Sequence, residues 1–133
     1  MEFNFTIDGN QEKASGNPIP YHRVVGKALW LPAARRYNAW KIHVRKSFFA
    51  AYPRMMANKS LEDPPIDMEL GPGSRMDIKI KYGSLLHADN DNIFKGIADA
   101  LFENDKGLNG SFESSYTTDK KPIVEVKIII KQK

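Results

Sequence analysis

Three segments of this chain alternate apolar and polar residues at every second position, and two others repeat their apolar residues at three-or-four spacing. That combination constrains the fold more than any other feature, because period two buries one face of a strand and period 3.6 buries one stripe of a helix. Glu2 to Ile7 places Phe3, Phe5 and Ile7 on one side and stops at Asp8-Gly9. Met76 to Tyr82 places Met76, Ile78, Ile80 and Tyr82 inward, and Ile123 to Lys131 does the same with Val124, Val126, Ile128 and Ile130. A further strand is expected over Ser111 to Thr117, joined to the last one by a turn at Asp119 to Pro122. Ala33 to Tyr52 reads as the longest helix, with Tyr37, Trp40, Val44, Phe48 and Ala51 as its buried stripe and Pro53 as its stop. A second helix is expected from about Asp91 to Phe102. Val24 to Leu31 reads as extended. Residues 10–20 and 54–74, rich in proline and glycine, read as loops, the latter either a mobile flap or a long connector. The expected fold is therefore α+β: a small, mixed, mostly antiparallel sheet packed by two main helices, in one domain spanning residues 1–133.

Charge is distributed unevenly along that framework. From Lys13 to Leu61 there is no acidic residue, while ten lysines and arginines occur. Residues 62–133 carry ten basic and thirteen acidic side chains, a net of −3. A stretch this one-sided points to a polyanion, and nucleic acid is the expected partner. The bland alternative is a solvated basic face. Zero cysteines exclude disulfides, thiolate catalysis and thiolate metal sites. With no long apolar run and no basic-then-apolar N-terminal profile, the expectation is no membrane association and a cytoplasmic protein.

The chemistry concentrates at residues 87–101. Asp89 and Asp91 are one residue apart at the expected start of the second helix, and Asp91, Lys95 and Asp99 recur every fourth residue. Two close carboxylates repel unless a cation lies between them, and a helix start favours negative charge. Such a pair with a lysine one turn on suits a divalent metal acting on a phosphodiester. The competing interpretation is an ordinary helix cap followed by a surface ladder of ion pairs. Asp105 is the nearest further oxygen donor. His22 and His43 lie in the basic half and His87 beside the acids. The aromatic residues Tyr37, Trp40 and Phe48 read as core, leaving Trp30 as the better stacking candidate.

The segment Asp89-Asn90-Asp91-Asn92-Ile93-Phe94-Lys95-Gly96-Ile97-Ala98-Asp99-Ala100-Leu101 resembles the signature of RusA-type Holliday junction resolvases, common in phages and prophages. Around it, Pro18-Ile19-Pro20-Tyr21-His22-Arg23, the basic helix, the short turn Glu103-Asn104-Asp105-Lys106 and the closing strand are similar to the family's order of elements. The resemblance implies metal-binding acids at Asp89, Asp91 and Asp105, an assisting Lys95, and Mg²⁺ as the cofactor with Mn²⁺ as its substitute. It further implies a homodimer that cuts branched DNA, a four-way junction, by paired symmetric nicks in a bacterial or phage-infected cell. Arg23, Arg35, Arg36, Lys41, Arg45 and Lys46 are then the expected phosphate contacts. Asn104-Asp105 stands where the family has a pair of aspartates, so Asp99 and Glu113 are alternatives for the third acid. Ala88 stands where at least one relative has a basic residue, with His87 beside it as a partial substitute, and residues 54–74 have no counterpart. A binding module without catalysis, acting on junctions or single strands, and a nuclease for flaps or RNA are the competing functions.

Overall fold

A computed structural model describes residues 1–9, 16–23, 31–117 and 121–133. Trp30, nearly all of the Val24–Leu31 segment and the first half of the turn at 119–122 lie outside the described residues. The chain forms β1 (Glu2–Asp8), α1 (Pro32–Ala51), β2 (Arg75–Tyr82), α2 (Asn90–Leu101), β3 (Asn109–Tyr116) and β4 (Ile123–Ile129), with one 3-10 turn at Pro53–Met56. The sheet order is β1-β4-β2-β3. β4 lies antiparallel to both β1 and β2, pairing Phe5 with Val126 and Ile78 with Val126. β3 runs parallel to β2, with Ile78 opposite Phe112. A parallel pair needs a crossover, and α2 is that crossover. The expected α+β fold, with a mixed and mostly antiparallel sheet and two helices, is what the chain adopts.

One face of the sheet carries the core. Phe3, Phe5, Ile7, Met76, Ile78, Ile80, Tyr82, Val124, Val126 and Ile128 are all buried against the two helices. α1 contributes Tyr37, Trp40, Val44 and Phe48, and α2 contributes Ile93, Ile97 and Leu101. Burial of each such large side chain contributes about 1.5–3 kcal/mol. Phe48 meets Phe3 and Phe5 edge-on at 5.3 and 5.5 Å, which seats α1 over β1. Ala51, expected in the stripe, is exposed at the helix end. Tyr52 (φ −132°, ψ 68°) leaves the helical region, which a following proline disfavours, and Pro53 ends α1 as expected.

Residues 54–74 are a fastened connector. Ile66, fully buried, takes a hydrogen bond from the Glu103 N–H and gives one to the Leu101 carbonyl, both 2.9 Å. Further on, the buried Ser74 hydroxyl and Lys131 backbone exchange two bonds of 3.0 Å. These ties leave little freedom for a flap. No helix among the described residues is long and apolar enough to cross a membrane.

Candidate active site

Asp89 is the N-cap of α2, with extended backbone (φ −62°, ψ 144°). Its carbonyl accepts from the Asn92 and Ile93 N–H groups at 3.1 Å, but its carboxylate makes no capping bond. Asp91 sits in the first turn, half exposed, with Lys95 Nζ 3.9 Å from Oδ2. Both carboxylates therefore face solvent at the positive end of a helix dipole.

Asn90, between them, fixes where they point. The Tyr82 hydroxyl donates to Asn90 Oδ1 at 2.8 Å, and Asn90 Nδ2 donates to Ser114 Oγ at 3.1 Å. The start of α2 is thus tied to the ends of β2 and β3. His87 stacks on Tyr82 with ring centres 3.6 Å apart and 9° between planes. His87 Nδ1 lies 2.7 Å from the Ala88 carbonyl and Nε2 lies 2.9 Å from the Tyr116 hydroxyl. A carbonyl only accepts, so Nδ1 is the donor in that contact, while the Tyr116 hydroxyl can pair with Nε2 as donor or acceptor. Burial, then the charges of Tyr116 and Asp89, push the Tyr82 phenol up to about 12.

The segment that leads to Arg23 is fastened to the same helix by its backbone. The Tyr21 N–H donates to the Asn92 carbonyl at 2.9 Å, inside the first turn of α2. Glycine at position 96 permits this approach, because a Cβ there would lie 3.2 Å from Tyr21 N and 3.4 Å from the Ile19 carbonyl. Two residues beyond Tyr21, the exposed Arg23 is within about 7 Å of chain length of that contact. At the same end of the sheet, Lys81 and Lys121 line a concavity of about 630 Å³ together with Asp8, Gly9, Gly16 and Thr117.

Other expected residues are placed elsewhere. Asp105 follows the far end of α2, and twelve helical residues separate that end from Asp89, about 18 Å at 1.5 Å per residue. Glu113 projects with Lys79 from the sheet face opposite α2, pairing with it at 3.7 Å. Asp99 accepts from the Tyr37 hydroxyl at 2.5 Å and lies 3.6 Å from Lys41 Nζ. The Asp91–Lys95–Asp99 ladder therefore stops after one pair. Each four-residue step turns about 40° past a full circle, so Asp99 lies about 80° round the helix from Asp91, towards α1. Burial first, then the bond to Asp99, drives the Tyr37 phenol far above its usual range. Within one chain none of the three acids joins Asp89 and Asp91. Among the described residues no three His, Asp or Glu side chains are grouped to hold an ion.

The basic helix divides as well. Arg36 and Lys46 are exposed on α1, as is Arg35. Lys41 is mostly covered, paired with Asp99 and lying 4.9 Å from the centre of the Tyr37 ring. Arg45 is a correction to the phosphate-contact expectation: it is 3% exposed. Its Nε donates to the Ala100 carbonyl at 2.7 Å and Nη1 to the Leu61 carbonyl at 3.0 Å. Ala100 is in the last turn of α2, whose carbonyls have no helical partner, so Arg45 caps that helix. Buried as it is, its guanidinium is pushed below its usual range.

Sequence reasoning did not single out Tyr82, Asn90, Ser114 or Tyr116 as site residues. They meet only because β3 pairs with β2 in the register Ile80–Ser114, which leaves no mark in a single strand's pattern. No family model matches the chain, and a search of curated proteins finds no match.

Proposed function

We propose that this protein is a divalent-metal-dependent endonuclease of branched DNA, in the manner of the RusA-type resolvases its central segment resembles. The observation that carries the reading is the start of α2. Two exposed carboxylates stand one residue apart there, neither is spent on capping the helix, and the Tyr21 backbone, two residues before Arg23, is bonded to the same turn. The donor set fits Mg²⁺, which commonly uses one or two carboxylates, completed by water and substrate phosphate. Asp89 and Asp91 would hold it, with Mn²⁺ as a substitute. The bound ion supplies Lewis acidity towards the scissile phosphate. Arg23 and Lys95 would bind and orient the phosphate and offset charge that builds on it. Tyr82, Asn90 and Ser114 act by position, fixing the carboxylates to the sheet. Arg35, Arg36 and Lys46 would contact backbone phosphates further along, supplying affinity without sequence preference. The reading places the enzyme in the cytoplasm of a bacterial or phage-infected cell, working as a homodimer that makes paired nicks.

A second reading, junction or single-strand binding without cleavage, is favoured by one observation: Asp105 stands a helix length from the acid pair. A labelled four-way junction, incubated beside linear duplex with Mg²⁺, Mn²⁺ or EDTA, separates the two. Metal-dependent paired nicks in the junction alone, abolished in Asp91→Asn with binding retained, are expected for the nuclease. Tight binding without nicks in either metal overturns it and leaves the binding protein.

A further inference from the structure

The two edges of the sheet are finished differently. On β1, the Tyr52 hydroxyl receives the Asn4 N–H at 2.7 Å and lies 3.2 Å from the Asn4 carbonyl, while His43 Nε2 lies 2.9 Å from the Asp8 carbonyl. Side chains of α1 and its C-terminus thereby occupy that edge. On β3, Asn109 N–H donates to Ser74 and Thr117 N–H to Tyr82, so the odd-numbered residues turn their backbone groups towards β2. Gly110, Phe112, Ser114 and Tyr116 therefore aim theirs outward, and no described residue pairs with them. Natural edges of this length are blunted with lysine, proline or a bulge. Asn-Gly-Ser-Phe-Glu-Ser-Ser-Tyr has none of these, and every residue of β3 is exposed.

The same edge gathers apolar surface. Of eight large hydrophobic side chains strongly exposed among the described residues, Leu85, Leu86, Phe112 and Tyr116 are four, at 79, 85, 44 and 54%. Leu85 and Leu86 immediately precede His87, whose ring meets Tyr116. Their loop is held in place by the buried Asn17, which accepts from the Gly83 N–H at 2.7 Å and donates to the Ser84 and Leu86 carbonyls at 3.4 Å. Phe94 of α2 extends the patch against Phe112, with ring centres 6.1 Å apart.

We infer that β3 pairs antiparallel with β3 of a second copy of this chain, about a twofold axis at Ser114. The strand is complementary to itself in that register. Phe112 falls opposite the partner's Tyr116, and Glu113 opposite the partner's Ser115, so aromatic pairs form twice and no like charges oppose. An axis at Glu113 would instead set two carboxylates face to face. All eight outward backbone groups of Gly110 to Tyr116 lie along the shared seam, and the leucine loop of each copy approaches its partner. The pairing does not depend on the nuclease reading. Under that reading, Asn90 bonded to Ser114 puts one acid pair on each side of the axis, as two symmetric nicks require.

The chain has no cysteine, so a single introduced thiol is a clean probe. Ser114→Cys places two thiols across the axis, on α-carbons about 5.5 Å apart, whereas Thr6→Cys puts them on the opposite edge. With a short bismaleimide, dimer cross-linking is expected at position 114 and not at 6. Sedimentation should give a dimer for the parent chain. It should give a folded monomer, by circular dichroism, for Phe112→Lys and for Ser114→Pro, which removes an outward-facing N–H together with the hydroxyl that accepts from Asn90. A monomeric parent, cross-linking at position 6 alone, or a dimer that persists in both folded variants overturns the inference, whatever the cleavage assay gives.

Discussion

Replacing Arg45 with alanine separates a buried structural cation from the DNA contacts among which its sequence position would place it. The guanidinium is 3% exposed and donates to the carbonyls of Ala100 and Leu61. Truncation leaves two buried acceptors without partners, at about 1–3 kcal/mol each. Relief of the arginine's own desolvation offsets part of this, several kcal/mol for an ion taken out of water. Lost packing of its stem adds to the cost. The balance is a destabilisation of about 3 kcal/mol. At about 2.1 cal/mol/K per residue, a chain of 133 residues unfolds with an entropy near 0.28 kcal/mol/K, so the midpoint should fall by about 10 °C. Thermal melts read by circular dichroism measure this, and junction affinity is then taken well below the new midpoint. The folded Arg45→Ala variant should bind with nearly parental affinity and the parental salt slope. Arg36→Ala and Lys46→Ala should each weaken binding, flatten the slope by about one phosphate contact and hardly move the midpoint. A fall of less than about 3 °C, or a flattened salt slope in Arg45→Ala, would refute the reasoning.

Gly110→Ala should destabilise the chain by about 1–3 kcal/mol, because its Cβ would sit 2.0 Å from the Met76 carbonyl and 2.6 Å from the Phe94 ring; an unchanged urea midpoint would contradict this. Tyr82 should resist ionisation until the protein unfolds. Its folded value is raised from 10.0 to about 12, so its stabilisation is intact below pH 10 and is lost as pH climbs through 12. Phenolate absorbance followed against pH checks it: Tyr82→Phe should remove one late-titrating phenol, and full phenolate formation near pH 10 with native near-ultraviolet dichroism would count against it.

The elements were legible along the chain because each is a local pattern. Alternation around Phe3 and Phe5, around Ile78 and Ile80 and around Val124 and Val126 admits only strands with one buried face, and the Tyr37–Trp40–Val44–Phe48 spacing admits only a helix. β3 was located, but not its exposure or its parallel partner, since NGSFESSY has almost no alternation to set a register. The acid pair was equally legible, being two residues and a helix start. Its surroundings were not. Asn90 meets Ser114 across twenty-four positions, and Tyr21 meets Asn92 across seventy-one.

Charge shows the same division more sharply. Sequence alone determined that residues 13–61 carry ten basic side chains and no acidic one, and that Asp89 and Asp91 adjoin a helix start. Only the tertiary structure decided what each charge does. It turned Arg45 inward to cap α2, set Lys41 and Tyr37 on Asp99, sent Glu113 to the opposite face and left Asp105 beyond the helix. The reason is geometric. Sequence spacing fixes an angle round a helix or a side of a strand, whereas a charge acts through its distance to groups on other elements, which only packing sets.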